Sequence, residues 1–172
     1  MCERFEWELR AFADPHGREG VVRLYEPRDH GPLLAMYAAL GADDGRAGRG
    51  EAARCAWMAR LAGRGINAVG SLGGALAGHA VLLPDGRHDC EIAVFVHPDF
   101  RRLGLGAELV RGVLGFAAEC GFRRVWSAAD TENEAAARLA GRTGFAPRAD
   151  GRWWTDLEPL PLYARPLVAR AR

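Results

Sequence analysis

The sequence contains no lysine, so all 23 of its basic side chains are arginine. A Walker-type phosphate loop needs its lysine, and Schiff-base catalysis needs a lysine amine. Both kinds of chemistry are therefore excluded. The net charge is only +1, which gives no reason to expect a nucleic acid or an anionic membrane as partner.

Cysteine is scarce, and its spacing matches no metal or disulfide pattern. The four cysteines are scattered, without a C-x-x-C pair, at Cys2, Cys55, Cys90 and Cys120. We therefore expect mostly structural, reduced thiols and no metal site. No apolar run approaches the roughly 20 residues of a membrane helix, and the mixed-charge N-terminus has no signal-peptide stretch. The expected location is the cytoplasm, with no membrane partner.

The chain has 172 residues, of which 49% are hydrophobic and 26% charged. This length and composition predict one globular domain, residues 1–172, with an N-terminal strand or extension at 1–19. A domain of this size buries an adequate core without disulfides.

Hydrophobic periodicity predicts an alternation of strands and helices. In chain order these are strands at 3–12 and 20–25, helices at 31–40 and 51–61, a hairpin of 68–72 with 75–83, a strand at 90–96, a helix at 104–120, a strand at 124–129, a helix at 133–143 and short strands at 145–148 and 153–157. Asp29 is expected to cap the first helix. The step from the 90–96 strand to the 124–129 strand should be parallel, which gives an α/β (α+β) layer arrangement.

One segment carries the chemistry: a strand ends near Pro98, a glycine-containing turn follows, and a long helix begins at once. Backbone N–H groups at a helix start bind anions, and glycine lets a ligand come close to the backbone. The turn is therefore expected to hold a pyrophosphate. A dinucleotide fingerprint would need a third glycine where Leu109 stands and an acidic residue about 20 positions later, so a nicotinamide cofactor is not expected.

The spacing of Arg101, Gly104 and Gly106 resembles the R/Q-x-x-G-x-G/A signature of the GNAT superfamily of N-acetyltransferases. A second segment, Asn133 to Phe145, resembles the later helix of that family, which runs from N-x-x-A to a closing G-F. The resemblance covers about 68–148, the expected coenzyme A-binding core. Residues 91–96 look most like the acetyltransferase domain of bacterial protein-lysine acetyltransferases.

The resemblance implies a GNAT fold: a mixed central sheet of six or seven strands, helices on both faces, and two parallel central strands that splay apart. It implies an enzyme that transfers an acetyl group from acetyl-CoA, as co-substrate, to an amine. The backbone from residue 102 to 107 would bind the coenzyme A pyrophosphate, and the strand end would bind the pantetheine arm. The residues so assigned are Val94, Phe95, Val96, Arg101, Arg102, Leu103, Gly104, Leu105, Gly106, Ala107 and Asn133, the last of which is equally a helix cap.

Glu91 is the candidate general base. It is the only charged side chain between Cys90 and Val96, and strand alternation places it on one face with Ala93 and Phe95. A carboxylate in an apolar cleft can accept the proton of an attacking amine. A salt bridge at the rim is the alternative interpretation.

Other side chains carry weaker hypotheses. The family often has a tyrosine acid where this chain has Ala140, so the thiolate either leaves unassisted or is protonated by Tyr163 or Ser127. A structural interpretation is favoured for His79 and His97 over a place in the cleft, and Cys120, which has no obvious base partner, is not expected to act as a nucleophile. Trp153 and Trp154 are expected to form core or dimer contacts rather than a substrate cage. The acceptor stays open among a small amine, an amino acid, an antibiotic and a protein amine, and so does the oligomeric state, although a homodimer would be common for the family. A non-catalytic acyl-CoA sensor is the alternative function.

Overall fold

The computed structural model describes residues 8–40, 61, 63–86, 88–128 and 133–158, and their centre is one mixed β-sheet. Its eight strands lie in the order β1-β2-β3-β4-β5-β6-β8-β7. The strand bounds are β1 Glu8–Ala13, β2 Glu19–Leu24, β3 Ile66–Leu72, β4 Ala75–Pro84, β5 Asp89–Val96, β6 Arg124–Ser127, β7 Ala146–Pro147 and β8 Trp153–Asp156. All neighbours are antiparallel except β5 and β6, which are parallel as predicted.

Three α-helices accompany the sheet in the described part of the chain: α1 His30–Ala39, α2 Leu105–Glu119 and α3 Glu134–Arg142. Every predicted strand and helix that falls on described residues is present. Most of the observed ends differ from the predicted ends by one or two residues. The sheet has eight strands, where the family resemblance implied six or seven, because the short strand predicted at 145–148 also joins it as β7. The predicted loop at 41–50 and most of the predicted helix at 51–61 lie outside the described residues.

Helix α2 packs on one face of the sheet through its apolar side. Leu105, Leu109 and Val113 are fully buried there. The fit is close because Gly70 and Gly78 stand opposite each other in β3 and β4. A Cβ atom at Gly78 would lie 2.5 Å from Cδ1 of Leu109, and one at Gly70 would lie 2.7 Å from Cδ1 of Leu105. Two glycines therefore set the distance between α2 and the sheet.

Helix α1 covers the opposite face. A second apolar cluster there joins Leu33, Met36, Tyr37 and Leu40 to Phe95 of β5. Strand β5 contributes to both clusters by alternation, because Cys90 and Ile92 belong to the core under α2. The expectation of helices on both faces is therefore confirmed.

The predicted cap of the first helix is wrong in one respect. Asp29 precedes α1, but its side chain makes no capping hydrogen bond to that helix. Its carboxylate instead accepts two hydrogen bonds from the Arg23 guanidinium, at 2.7 and 2.6 Å, and one from the Glu26 amide at 2.8 Å. Together these hydrogen bonds and the charge of Arg23 hold the pKa of Asp29 below its usual value, although burial opposes them.

Candidate active site

Strands β5 and β6 run together for three residues and then separate. Their register ends with Glu91 opposite Trp126, whereas β5 continues to Val96 beside β4. The splay that the family resemblance implied therefore begins next to Glu91. It leaves a cleft between two parallel strands at their carboxyl ends, which is where open α/β sheets bind ligands.

The direction of the backbone groups along β5 follows from its pairing with β4. The His97 amide donates to the Ala77 carbonyl at 2.8 Å, so that pair is hydrogen-bonded across the ladder. Hydrogen-bonded and non-hydrogen-bonded pairs alternate in antiparallel sheets. The N–H and C=O groups of Val94 and Val96 therefore point away from β4 into the cleft, whereas those of Phe95 point toward β4. Of the three predicted pantetheine contacts, Phe95 therefore offers no backbone group to the cleft, and its side chain is buried in the cluster under α1.

A tight turn connects β5 to α2. A short 3-10 turn, Pro98–Phe100, is capped by the ring of His97, which accepts a hydrogen bond from the Asp99 amide at 3.2 Å. The backbone then takes left-handed conformations at Arg102, with φ of 63°, and at Gly104, with φ of 91°. A Cβ at Gly104 would meet no atom within 4 Å, so its conformation, rather than space, favours glycine there.

These conformations bring a run of amides to the start of α2. Within the described residues, the five consecutive backbone N–H groups from 102 to 106 donate to no acceptor. The Ala107 amide, which also belongs to the predicted set, donates to the Gly104 carbonyl at 2.9 Å and is part of the helix. The positive end of a 15-residue helix lies behind these amides. The arrangement can bind a pyrophosphate.

Two arginines flank this run. The Arg101 side chain is exposed and donates from Nε to the Val96 carbonyl at 3.1 Å. It therefore ties the turn to the end of β5. Arg102 is exposed as well.

Glu91 is half-buried at the point where the strands separate. It stands between Leu83 of β4 and Trp126 of β6 in the sheet. Trp126 is 8% exposed, and its indole N–H donates to the Asp85 carboxylate at 3.1 Å. One side of Glu91 is therefore lined by an aromatic ring, and the other by a leucine.

The remaining predicted residues have identified positions. The Asn133 side chain accepts a hydrogen bond from the Ala136 amide at 3.1 Å, so it caps α3. Ala140 is buried in the core under α2 and has no group that could donate a proton. Ser127 follows Trp126 in β6, so alternation turns it to the face opposite Glu91. Tyr163, the other acid considered, lies outside the described residues.

His79 is buried in a hydrogen-bonded group, as the structural interpretation proposed. It contacts Tyr37 through Nδ1 at 2.8 Å and the Asn67 side-chain oxygen through Nε2 at 3.0 Å. Because Asn67 uses its amide nitrogen to donate to the Leu61 and Gly65 carbonyls, its oxygen must accept, so Nε2 of His79 carries the proton. Burial lowers the pKa of His79 to about 4. We call Tyr37, Asn67 and His79 the His79 triad.

The two described cysteines are poor nucleophiles. Burial, with Asp89 nearby, raises the pKa of the Cys90 thiol to about 12. Burial and Glu119 also raise the pKa of the exposed Cys120. These shifts disfavour a covalent route through a described thiol.

Sequence reasoning missed a cluster of indoles and guanidinium groups beside Glu91. Trp126 and Trp154 are neighbours in β6 and β8, with ring centroids 6.2 Å apart. The Arg152 guanidinium lies 4.0 Å from the centroid of Trp126, whereas Arg124 and Arg148 lie over Trp154 at 5.3 and 5.1 Å. We call these five residues the indole–arginine cluster. Alternating tryptophan and arginine on neighbouring strands is its sequence signal, but the pairing of β6 with β8 had to be known first.

Over the described ranges, no group of three or more metal-ligating side chains lies close enough to hold an ion. None of the helices in those ranges has the length and apolar character required to cross a bilayer.

Two solved structures share this architecture. The GNAT domain of S. lividans PAT superposes with a TM-score of 0.72 at 16% identity, covering 91% of this chain and 100% of that domain. The YncA protein of Salmonella typhimurium, solved with its cofactor acetyl-CoA, superposes with a TM-score of 0.63 at 23% identity over 81% of this chain and 94% of that one. At these identities the similarity shows the fold.

Among curated relatives, the L-amino acid N-acyltransferase MnaT of Escherichia coli is 33% identical over 75 residues, which is 39% of this chain and 44% of the relative. The chain spans less than half the length of the curated relatives it matches. The model of the acetyltransferase (GNAT) family matches residues 5–145. That match covers most of the chain, the cleft and the turn described above, so the chain belongs to the acetyltransferase (GNAT) family.

Proposed function

We propose that this protein is an N-acetyltransferase that transfers an acetyl group from acetyl-CoA to a primary amine. The observation that carries the proposal is the run of amides from 102 to 106, which follows the carboxyl end of β5 beyond the point where its pairing with β6 ends. Family membership supports the same reaction. We further propose that residues 1–172 act as one domain. A cytoplasmic location and a homodimer stay predictions.

In this proposal the backbone binds the co-substrate. The amides from 102 to 106 hold the pyrophosphate, and the cleft-facing Val94 carbonyl and Val96 backbone groups pair with the pantetheine amides. Such pairing resembles the addition of a strand to an open sheet edge. The Val96 carbonyl already accepts from Arg101, so this arginine positions the strand end for that pairing. Asn133 contributes by fixing the start of α3 and keeps its side-chain NH₂ group as a donor.

Glu91 is proposed to act as the general base. A lysine-like amine is neutral in only about one molecule in two thousand at pH 7, and only the neutral form attacks the thioester carbonyl. The Glu91 carboxylate accepts the proton, directly or through water, while the amine nitrogen forms a bond to the carbonyl carbon. The Val94 N–H, which points into the cleft, donates to the oxyanion that develops. The carbon–sulfur bond then breaks, and coenzyme A leaves as a thiolate that solvent protonates.

The acceptor class is left open by family membership. The Escherichia coli relative is named for L-amino acids, whereas the sequence around Glu91 led to the expectation of a resemblance to protein-lysine acetyltransferases. The chain covers too little of the relatives to transfer a substrate from their names. Both acceptor classes carry a primary amine, which the proposed mechanism requires.

The test is Glu91→Gln, which keeps the size of the side chain and removes its basicity. We expect turnover to fall by about 10² or more, as for loss of a general base, with the Kd for acetyl-CoA unchanged in calorimetry. Glu119→Gln, at the far end of α2, is the matched control and should keep wild-type turnover. Full activity of the Glu91 variant from pH 6 to 9 would show that another group takes the proton.

One observation favours a second function, a sensor that binds acyl-CoA without catalysis. The position of the family tyrosine is Ala140, which is buried in the core and provides no acid. Calorimetry with coenzyme A, followed by thiol-release assays on a panel of amines, separates the two functions. Binding without thiol release on any amine would favour the sensor.

A further inference from the structure

The indole–arginine cluster contains one arginine that differs from the other two. Arg124 makes an ion pair with Asp89 at 2.6 Å, and Arg148 lies 3.8 Å from the Asp156 carboxylate. Arg152 stacks on Trp126, yet its guanidinium makes no hydrogen bond or ion pair with any residue in the described part of the chain. Among the described residues, aspartates therefore neutralise two of the three cations and not the third.

The neighbouring Asp150 does not neutralise Arg152 by contact. Its carboxylate accepts hydrogen bonds from the Arg152 backbone amide at 3.0 Å and from the Trp154 indole at 3.1 Å. These bonds fix the turn before β8 and hence the starting point of the Arg152 side chain. Neither hydrogen bond uses the Arg152 guanidinium, so its N–H groups can donate to another partner.

The Trp126 ring gives the Arg152 side chain a packing surface even without such a partner. The guanidinium carbon lies over the Trp126 indole, 4.0 Å from the ring centroid, and the residue is half-buried. A stacked guanidinium keeps its N–H groups at the edge of the plane, where they can bind a carboxylate through two parallel hydrogen bonds. The stacking therefore preorganises a site for a planar anion, at a low entropic cost on binding.

The position of this site relative to Glu91 defines its use. Trp126 is the direct neighbour of Glu91 across β5 and β6, so the two side chains share a face of the sheet. Residue 152 lies in the chain two positions before Trp154, on the side of Trp126 toward the carboxyl end of β6. The guanidinium over Trp126 therefore lies beside the region where the strands separate. Strand β6 separates β5 from β8, so the backbones at Glu91 and Arg152 lie two strand spacings apart, about 10 Å. The Arg152 side chain reaches back over the Trp126 ring on β6, which brings its guanidinium to within about one strand spacing of the Glu91 strand.

We propose that Arg152 binds a carboxylate of the acceptor, so that the preferred acceptors are α-amino acids. The proposal rests on the acetyl transfer proposed above. The nitrogen and the carboxyl carbon of an α-amino acid are about 2.5 Å apart, so one molecule can present its amine to Glu91 and its carboxylate to Arg152. Trp126 supports this arrangement by positioning the guanidinium. An amine without a carboxylate would leave Arg152 unpaired beside the reacting atoms.

The test uses two conjugates in which the sulfur of coenzyme A is joined through an acetyl bridge to the nitrogen of glycine or of glycinamide. They differ only in carboxylate against amide, and their binding is measured by calorimetry without turnover. We expect the glycine conjugate to bind wild-type protein about tenfold more tightly or better, as for a charge-assisted bidentate contact. In Arg152→Gln the two conjugates should bind equally, with the Kd of coenzyme A unchanged. Arg148→Gln, which removes the guanidinium over Trp154, is the control and should keep the preference.

The outcomes separate the two proposals. Equal binding of the conjugates to wild-type protein, or a preference that survives in Arg152→Gln, overturns the carboxylate site but leaves acetyl transfer intact. Absence of binding by coenzyme A itself overturns the proposed function. Kinetics give a second readout: kcat/KM for an amino acid should fall in Arg152→Gln, whereas kcat/KM for the corresponding amino acid amide should not. A parallel loss for both acceptors would assign Arg152 to packing alone.

Discussion

Acidification should destabilise this protein through one buried histidine. Burial holds the pKa of His79 at about 4, against a reference value of 6.5. The unfolded state therefore binds a proton at higher pH than the folded state does. The contribution of neutral His79 to stability is fully present above pH 6.5 and is lost as the pH falls toward 4.

The magnitude follows from the size of the shift. A difference of about 2.5 pKa units corresponds to roughly 3.4 kcal/mol between the two protonation states. At pH 5 the linkage relation gives a loss of about 2 kcal/mol relative to pH 8. That loss is a large fraction of the roughly 5–15 kcal/mol that stabilises a typical domain.

The assay is urea unfolding followed by fluorescence of the five tryptophans, from pH 8 to 4.5, for the wild type and for His79→Gln. Carboxylates with lowered pKa values, such as Asp14 and Asp29, titrate in both proteins, so the difference between the two curves isolates His79. We expect that difference to change by about 2 kcal/mol between pH 8 and pH 5. If the difference in unfolding free energy between the two proteins did not change with pH, buried His79 would not be the source of the acid sensitivity.

A second variant keeps the titrating group. Tyr37→Phe removes the hydroxyl that donates to Nδ1 of His79 and leaves this nitrogen buried without a partner. We expect a loss of about 1–3 kcal/mol at pH 8, the usual cost of an unsatisfied buried group, with the dependence on pH retained. A variant that loses both stability at pH 8 and the acid-dependent slope would indicate that the ring of His79 has become solvated.

Three glycine substitutions test how the fold positions the turn. Gly78→Ala places a Cβ 2.5 Å from Cδ1 of the buried Leu109, so it should cost about 1–3 kcal/mol in urea unfolding and weaken coenzyme A binding by displacing α2. Gly115→Ala, on the same helix with nothing within 4 Å, should instead gain up to about 1 kcal/mol and bind coenzyme A normally. Gly104→Ala meets no atom but must keep a φ of 91°, so we expect a cost of about 1–2 kcal/mol and weaker coenzyme A binding in calorimetry. If both Gly78→Ala and Gly104→Ala kept the wild-type affinity for coenzyme A, the turn would not be the coenzyme A-binding site.

The sequence predicted those parts of the fold that local periodicity determines. Strand β5 and helix α2 have strong patterns, and their bounds differ from the prediction by one residue. The parallel step between β5 and β6 followed from the helix between them. The division of β5 into two faces also followed from alternation, which placed Glu91 and Phe95 on one side.

Contacts between residues distant in the chain could not be read in this way. Asp29 fits a helix cap by its position, but an arginine six residues earlier, on β2, takes its carboxylate. The His79 triad joins residues 42 positions apart, and its members have no common motif. Likewise, nothing in the sequence distinguishes Arg152 from the other arginines. Its position over Trp126 follows only from the pairing of β6 with β8.

The two faces of the sheet have different physical roles. Under α2 the contacts are apolar and close, because two facing glycines admit Leu105 and Leu109, and this packing fixes the first turn of the helix. The amides of the turn are therefore rigidly placed before any anion arrives. On the other face, beyond the cluster under α1, the side chains near the splay are charged or aromatic, and Glu91 and Trp126 stand there side by side. Pyrophosphate binding should accordingly depend on the packing under α2. The choice of acceptor should depend on the side chains of the other face, around Glu91 and Trp126. Substitutions under α2 should thus change coenzyme A affinity for every acceptor alike, whereas substitutions around Trp126 should change the ranking of acceptors.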